Sequence, residues 1–147
     1  MPVGRTAANN FPSFVIEVGV SESLNELRAD AEFWLFNTRN DCRMVLLLAV
    51  NRTSRWMVFG LYERGTVPGR ITGNTPNPPP VPAATLCQPQ IVLQHSDGAI
   101  GPPDLNIPLA SLFDAGTLPP GLAGQNIVFN AQELGDIYDG VWLYAGA

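Results

Sequence analysis

Hydrophobic positions change their period several times along this chain, and each change marks a predicted element. Phe14-Val15-Ile16-Glu17-Val18 is short, β-branched and stopped by Gly19, which predicts a buried strand. Ser23-Leu24-Asn25-Glu26 then matches a capping box, in which the serine side chain bonds an early backbone N–H and the glutamate reaches back. Apolar residues follow at Leu24, Leu27, Ala31, Trp34 and Leu35, the spacing of a helix with one buried stripe. Glu26, Arg28 and Asp30 occupy its opposite face, and Asn37 to Asn40 end it. Arg43 to Val50 is a near-continuous apolar run, as expected of a central strand covered on both faces. Asn51-Arg52-Thr53-Ser54 predicts a tight turn and Trp56 to Tyr62 the second arm of an antiparallel hairpin. The strands at 14–18 and 43–50 are joined through the helix instead, which suits a parallel, right-handed crossover.

The pattern then breaks. Between Glu63 and Ala84 lie Pro68, Pro76, Pro78, Pro79, Pro80 and Pro82 with Gly65, Gly69 and Gly73, which predicts a long exposed loop with polyproline stretches. A ligand for a proline-binding module is the sharper alternative for this segment. Leu86 to His95 reads as an edge strand interrupted by Pro89, and Gly101 to Asp104 as a turn. Leu105 to Phe113 is a short apolar stretch with room for one helical turn near Leu109, and Asn126 to Phe129 reads as a brief strand. Asn130-Ala131-Gln132-Glu133 repeats the cap-then-acid signature and opens a helix through about Tyr138, extendable to Leu143, with Gly135 and Gly140 weakening it.

Composition narrows the class. A length of 147 residues is enough for one domain with a real core, and 46% hydrophobic against 14% charged residues argues against both disorder and a coiled coil. No apolar run approaches the roughly 20 residues of a transmembrane helix. The N-terminus MPVGRTAANNF carries no apolar signal core, and Cys42 and Cys87 have no metal-ligand spacing. The expectation is an intracellular protein, cytoplasmic or nuclear, with two reduced thiols and no membrane contact. Every basic residue is arginine: residues 1–70 carry eight against seven acids, and residues 71–147 carry six acids and no base. Such a chain repels phosphate backbones overall, so weak nucleic-acid contact is expected only through the N-terminal arginines.

The residue with the most chemistry is Glu17. A carboxylate within FVIEVGV is costly to bury unless a metal, an arginine or hydrogen-bond donors compensate it. Alternation puts Val15, Glu17 and Gly19 on one face of the strand and Ile16 and Val18 on the other. A metal ligand or catalytic acid is one reading; an edge-exposed or arginine-paired glutamate is the other. His95 is the sole histidine and has no partner for a triad or a metal site. Ser21 and Ser23 read as turn and cap residues. Gly98 to Gly101 lacks the lysine and helix of a phosphate loop, and Glu133, Asp136 and Asp139 read as a solvated helix face.

Residues Phe11 to Ser23 (FPSFVIEVGVSES), then Leu27, Asp30, Ala31 and Trp34, then the strand RMVLLLAV, resemble a group of uncharacterised fungal proteins that are similar to the PD-(D/E)XK phosphodiesterase superfamily. The segments PLASLF at 108–113 and NIVFNAQELGDIYDGVW at 126–142 resemble that group's C-terminal end. The resemblance implies an α/β fold: a restriction-endonuclease-like mixed sheet flanked by helices, lacking the N-terminal helix and hairpin. It implies a single domain over 11–142, with the Pro/Gly-rich loop at about 63–84 outside the matched residues. In that superfamily an Asp and the acid of an E-x-K pair hold a divalent cation, usually Mg²⁺, while the lysine positions or deprotonates the attacking water. Glu17 matches the acid, as candidate catalytic residue and metal ligand. Gly19 stands at the lysine position, and residues 1–16 contain neither Asp nor Glu. Arg28 on the following helix is a weaker candidate; it supplies charge but stays protonated and is a poor base.

The expected function is therefore a nuclease-fold domain that is catalytically degenerate, with no cofactor, or Mg²⁺ where an active site is completed. The alternatives are a protein-interaction module, drawing on the acidic C-terminal half, the proline loop and Trp34, Trp56 and Trp142, or a metal-dependent nuclease whose N-terminal part lies outside this chain. An exposed edge at 14–18 also invites homo-oligomers.

Overall fold

The computed structural model describes residues 11–39, 41–94, 103–113 and 118–144, so His95 and the Gly98–Gly101 segment lie outside the described residues. β1 (Phe14–Val20), α1 (Leu24–Phe36) and β2 (Met44–Asn51) form a parallel β-α-β unit, in which Phe14 pairs with Met44 and Val20 with Val50. The run MVLLLAVN has no polar face to offer solvent, and it occupies an interior position between β1 and β3 (Trp56–Val67). The turn between β2 and β3 is tied by Asn51 Oδ1, which accepts from the Ser54 N–H at 2.8 Å. β2 and β3 then run antiparallel from Asn51–Trp56 to Met44–Glu63.

The other edge of β3 carries two strands in line. β4 (Val81–Leu86) pairs with its second half, Tyr62 to Val67, and β5 (Ile91–Gln94) with its first, Trp56 to Phe59. Pro89 falls in the gap between them, where the strand expected at 86–95 is interrupted. The result is a mixed five-stranded sheet.

The expected Pro/Gly-rich loop at about 63–84 is too wide. β3 continues to Val67 and β4 starts at Val81, leaving the connection at 68–80, which holds its own Thr72–Thr75 bridge. Counting prolines overestimated the break because most of them sit in the connection. Pro82 alone falls in a strand, opposite Thr66, and β4 is an edge strand, where a missing N–H is tolerated.

β6 (Leu105–Pro108) and β7 (Asn126–Phe129) form a separate antiparallel pair, with one 3₁₀ turn at Leu109–Leu112 after β6. Gln88, in the gap between β4 and β5, holds this pair to the main sheet: its amide donates to the Asp104 carbonyl at 3.1 Å and its Oε1 accepts from the Asn106 N–H at 2.9 Å. α2 (Ala131–Tyr144) is capped by Asn130 Oδ1, which accepts from the Glu133 N–H at 2.9 Å. Gly135 and Gly140 do not stop it; a Cβ at either would meet nothing within 4 Å, so both lie on its open side.

Alternation along the strands divides the core in two. On one face Val45, Leu47, Ala49, Val58 and Tyr62 pack with Leu27, Ala31 and Leu35 of α1. On the other, Met44, Leu46, Met57, Phe59 and Leu61 pack with Leu105 and Ile107 of β6 and with Leu134, Tyr138 and Trp142 of α2. The architecture is thus α/β, a mixed sheet with one helix on each face. Among the described residues no helix is long and apolar enough to cross a membrane.

Candidate functional site

Glu17 is placed by two local features of the sequence. The alternation of β1 turns it to the α1 face, and the capping box fixes where α1 begins. Ser23 Oγ accepts from the Glu26 N–H at 3.2 Å, while Glu26 Oε2 accepts from the Ser23 N–H at 2.9 Å. Bonds from the Ser23 backbone and hydroxyl hold the Glu26 carboxyl below its usual range. Three turns on, that start brings Trp34 over β1.

The Trp34 indole Nε1–H donates to Glu17 Oε1 at 2.6 Å, and both side chains are half-buried. This single bond answers both polar needs: an indole N–H taken from water needs an acceptor, and a carboxylate in an apolar strand needs a donor. Phe33 meets the Trp34 ring edge-on with centroids 6.0 Å apart, and the Thr38 hydroxyl donates to the Trp34 carbonyl at 2.6 Å. Thr38 is fully buried and its oxygen also accepts from the Cys42 N–H at 3.2 Å, so the end of α1 is fastened to the start of β2.

Gly19, two residues along the same face, is filled from above. A Cβ built there would stand 2.8 Å from Leu27 Cδ2 and 2.9 Å from Cδ1, well inside contact distance. Leu27 is itself buried against the sheet. Any side chain at this position, a lysine included, would have to displace that leucine.

Among the described residues the other candidate groups lie elsewhere. The strand beside β1 sets Leu47 opposite Glu17, with Leu46 and Leu48 on either side, so the neighbouring strand offers no second carboxylate. Arg28 is exposed on α1, and at 3.6 residues per turn it lies roughly 120° round the helix from Trp34. The structure therefore puts Arg28 on the other flank of α1 from the one that meets Glu17. Asp41 accepts from the Phe11 N–H at 3.2 Å, near the start of β1 rather than its middle. Among the described residues no three His, Cys, Asp or Glu side chains gather where they could hold a metal ion. Mg²⁺ takes near-octahedral oxygen ligation, and Glu17, with one oxygen engaged by Trp34, does not fit that requirement by itself.

Arg64 was not singled out by sequence reasoning. Its Nη1 donates to the Leu35 carbonyl at 3.2 Å and the Cys42 carbonyl at 2.8 Å, a cation set against the C-terminal end of α1. A lone arginine on the α1 side of a strand, following Val58 and Tyr62 at even spacing, was the available signal. Both cysteines are free thiols. Burial raises the Cys42 thiol, and burial together with the Glu63 carboxylate pushes Cys87 up to about 12, so neither has thiolate character at neutral pH.

No family model, no curated protein and no solved structure matches this chain.

Proposed function

We propose that the chain is a catalytically degenerate domain of the nuclease-like type, intracellular, in which the acid of an E-x-K pair has become a structural group. The observation that carries this reading is the 2.6 Å bond from Trp34 to Glu17 beneath α1. The carboxylate is spent on holding helix to strand. Leu27 over Gly19 supports it as well, because that contact takes the space a lysine needs. The mixed sheet with a helix on each face is compatible with this reading at the level of an α/β architecture.

A cleavage assay tests the proposal. Purified protein incubated with supercoiled and linear DNA, and with single-stranded RNA, in Mg²⁺ or Mn²⁺ is expected to leave each substrate at the level of the buffer control. Glu17→Gln, whose amide oxygen still accepts from Trp34, is expected to behave identically. Cleavage by the parent that disappears in a folded Glu17→Gln protein would establish a working site and overturn the reading.

A further inference from the structure

β1 is an edge strand, and its open side can be read from its bonds to β2. The Ser21 N–H donates to the Val50 carbonyl at 2.9 Å, and the Ser13 carbonyl accepts from the Arg43 N–H at 2.8 Å. Odd-numbered residues of β1 therefore point their backbone groups at β2. Phe14, Ile16, Val18 and Val20 present theirs outward, away from β2. Among the described residues nothing pairs with that row.

The same residues carry an apolar stripe. Ile16, Val18 and Val20 are 58%, 54% and 50% exposed on the α2 face of the sheet. The stripe runs into a groove of about 300 Å³ walled by Leu48, Val50, Val141 and Trp142, with Arg52 at its margin. Contiguous exposed aliphatics beside an unpaired strand edge mark a place where another strand adds. The opposite edge of the sheet is blunted by Pro82 in β4, whereas FVIEVGV contains neither proline nor lysine.

We infer that a second copy of this chain occupies the edge, β1 against β1, antiparallel about a two-fold axis. That arrangement is isologous: the outward N–H and C=O groups of one strand meet the same groups of the other, and stripe meets stripe. α1 packs across β1, β2, β3 and β4, on the face of the sheet opposite the stripe. Charge selects the register. Full overlap would put Glu17 directly against its copy, a destabilising like-charge pair. A shift of one residue pair keeps both the hydrogen-bonding parity and the apolar face. Val18 then pairs with the partner's Val18, Ile16 with the partner's Val20, and Glu17 faces the partner's Gly19. The uncharged strand that Glu17 requires opposite itself is supplied by the chain's own sequence. This inference goes beyond the reading of Glu17 as structural and does not depend on it; cleavage and assembly fail separately.

Sedimentation velocity of the full chain from micromolar to submillimolar concentration tests it, alongside Val18→Lys and Val18→Pro. Lysine sets two like charges face to face at the axis, and proline removes an outward N–H that β2 does not use. The parent is expected to be a dimer, and both variants monomers with unchanged circular dichroism, their dissociation constants raised on the order of 100-fold. Hydrogen exchange gives a second readout that a misfolded variant cannot mimic. The parent's amides at Ile16, Val18 and Val20 are expected to gain protection as the dimer forms. A parent that stays monomeric throughout, or a dimer in which those three amides exchange as they do in the monomer, overturns the inference.

Discussion

Replacing Gly19 with lysine, which rewrites the strand as an E-x-K pair, is expected to cost about 2–3 kcal/mol of stability and to produce no nuclease activity. The new Cβ alone would stand 2.8 Å from Leu27 Cδ2, on a side chain with almost no exposed surface. Either α1 lifts from β1, losing the packing of Leu27, Ala31 and Leu35, or the leucine leaves its rotamer. The ammonium would also enter a face closed over by α1. Urea unfolding of the single variant, of Leu27→Ala and of the double variant measures the effect as a cycle. The double variant is expected to lose less than the sum of the two singles, since trimming Leu27 makes the room that lysine needs. Gly19→Lys as stable as the parent would mean that α1 does not press on β1 as described.

Leu134→Ala is expected to cost about 2–5 kcal/mol, the range for truncating a fully buried leucine that leaves a cavity. Leu134 has no exposed surface and shares one cluster with Met57, Phe59, Leu105 and Ile107. It repeats at Tyr138 and Trp142, whose rings meet edge-on at 5.7 Å, so three successive turns of α2 face the sheet. The Tyr138 hydroxyl adds a bond to the Arg55 carbonyl at 2.5 Å, anchoring α2 to the β2–β3 turn. Because these contacts link the last helix to the central strands, the loss should appear in a single cooperative transition. Two transitions in the urea profile, or a loss below about 1 kcal/mol, would show that α2 and the β6–β7 pair fold apart from the main sheet.

Much of the frame was readable because local chemistry dictated it. Ser23 and Glu26 announce the start of α1, Asn130 and Glu133 that of α2, and both caps form as expected. The run from Met44 to Val50 has no polar face, and it lies inside the sheet. The Pro-rich segment is narrower than expected at both ends: residues 63–67 hold no proline and continue β3, and Pro82 sits on an edge strand, where a missing N–H is tolerated. The site was half readable. Alternation placed Glu17 on the same face as Gly19, but nothing local says which residue of another element will meet it. Spacing puts Trp34 in the buried stripe, but it does not say which acceptor will satisfy the indole donor there. Arg28 and Trp34 share that helix, and only its rotation over β1 decides which of them reaches the carboxylate. That rotation is set by the whole α1 core, from Leu27 to Leu35.

On the function proposed above, the Glu17 carboxylate serves the Trp34 indole rather than a metal ion. The indole region of a ¹H–¹⁵N correlation spectrum reads that bond directly, with Trp56 and Trp142 as internal controls. Titration with Mg²⁺ is expected to leave the Trp34 Nε1–H resonance in place, and Mn²⁺ is expected to broaden it no more than the other two. Glu17→Gln should shift that resonance in the absence of any metal, because the acceptor has lost its charge. Selective broadening of the Trp34 resonance by Mn²⁺, abolished by Glu17→Gln, would instead make Glu17 a metal ligand.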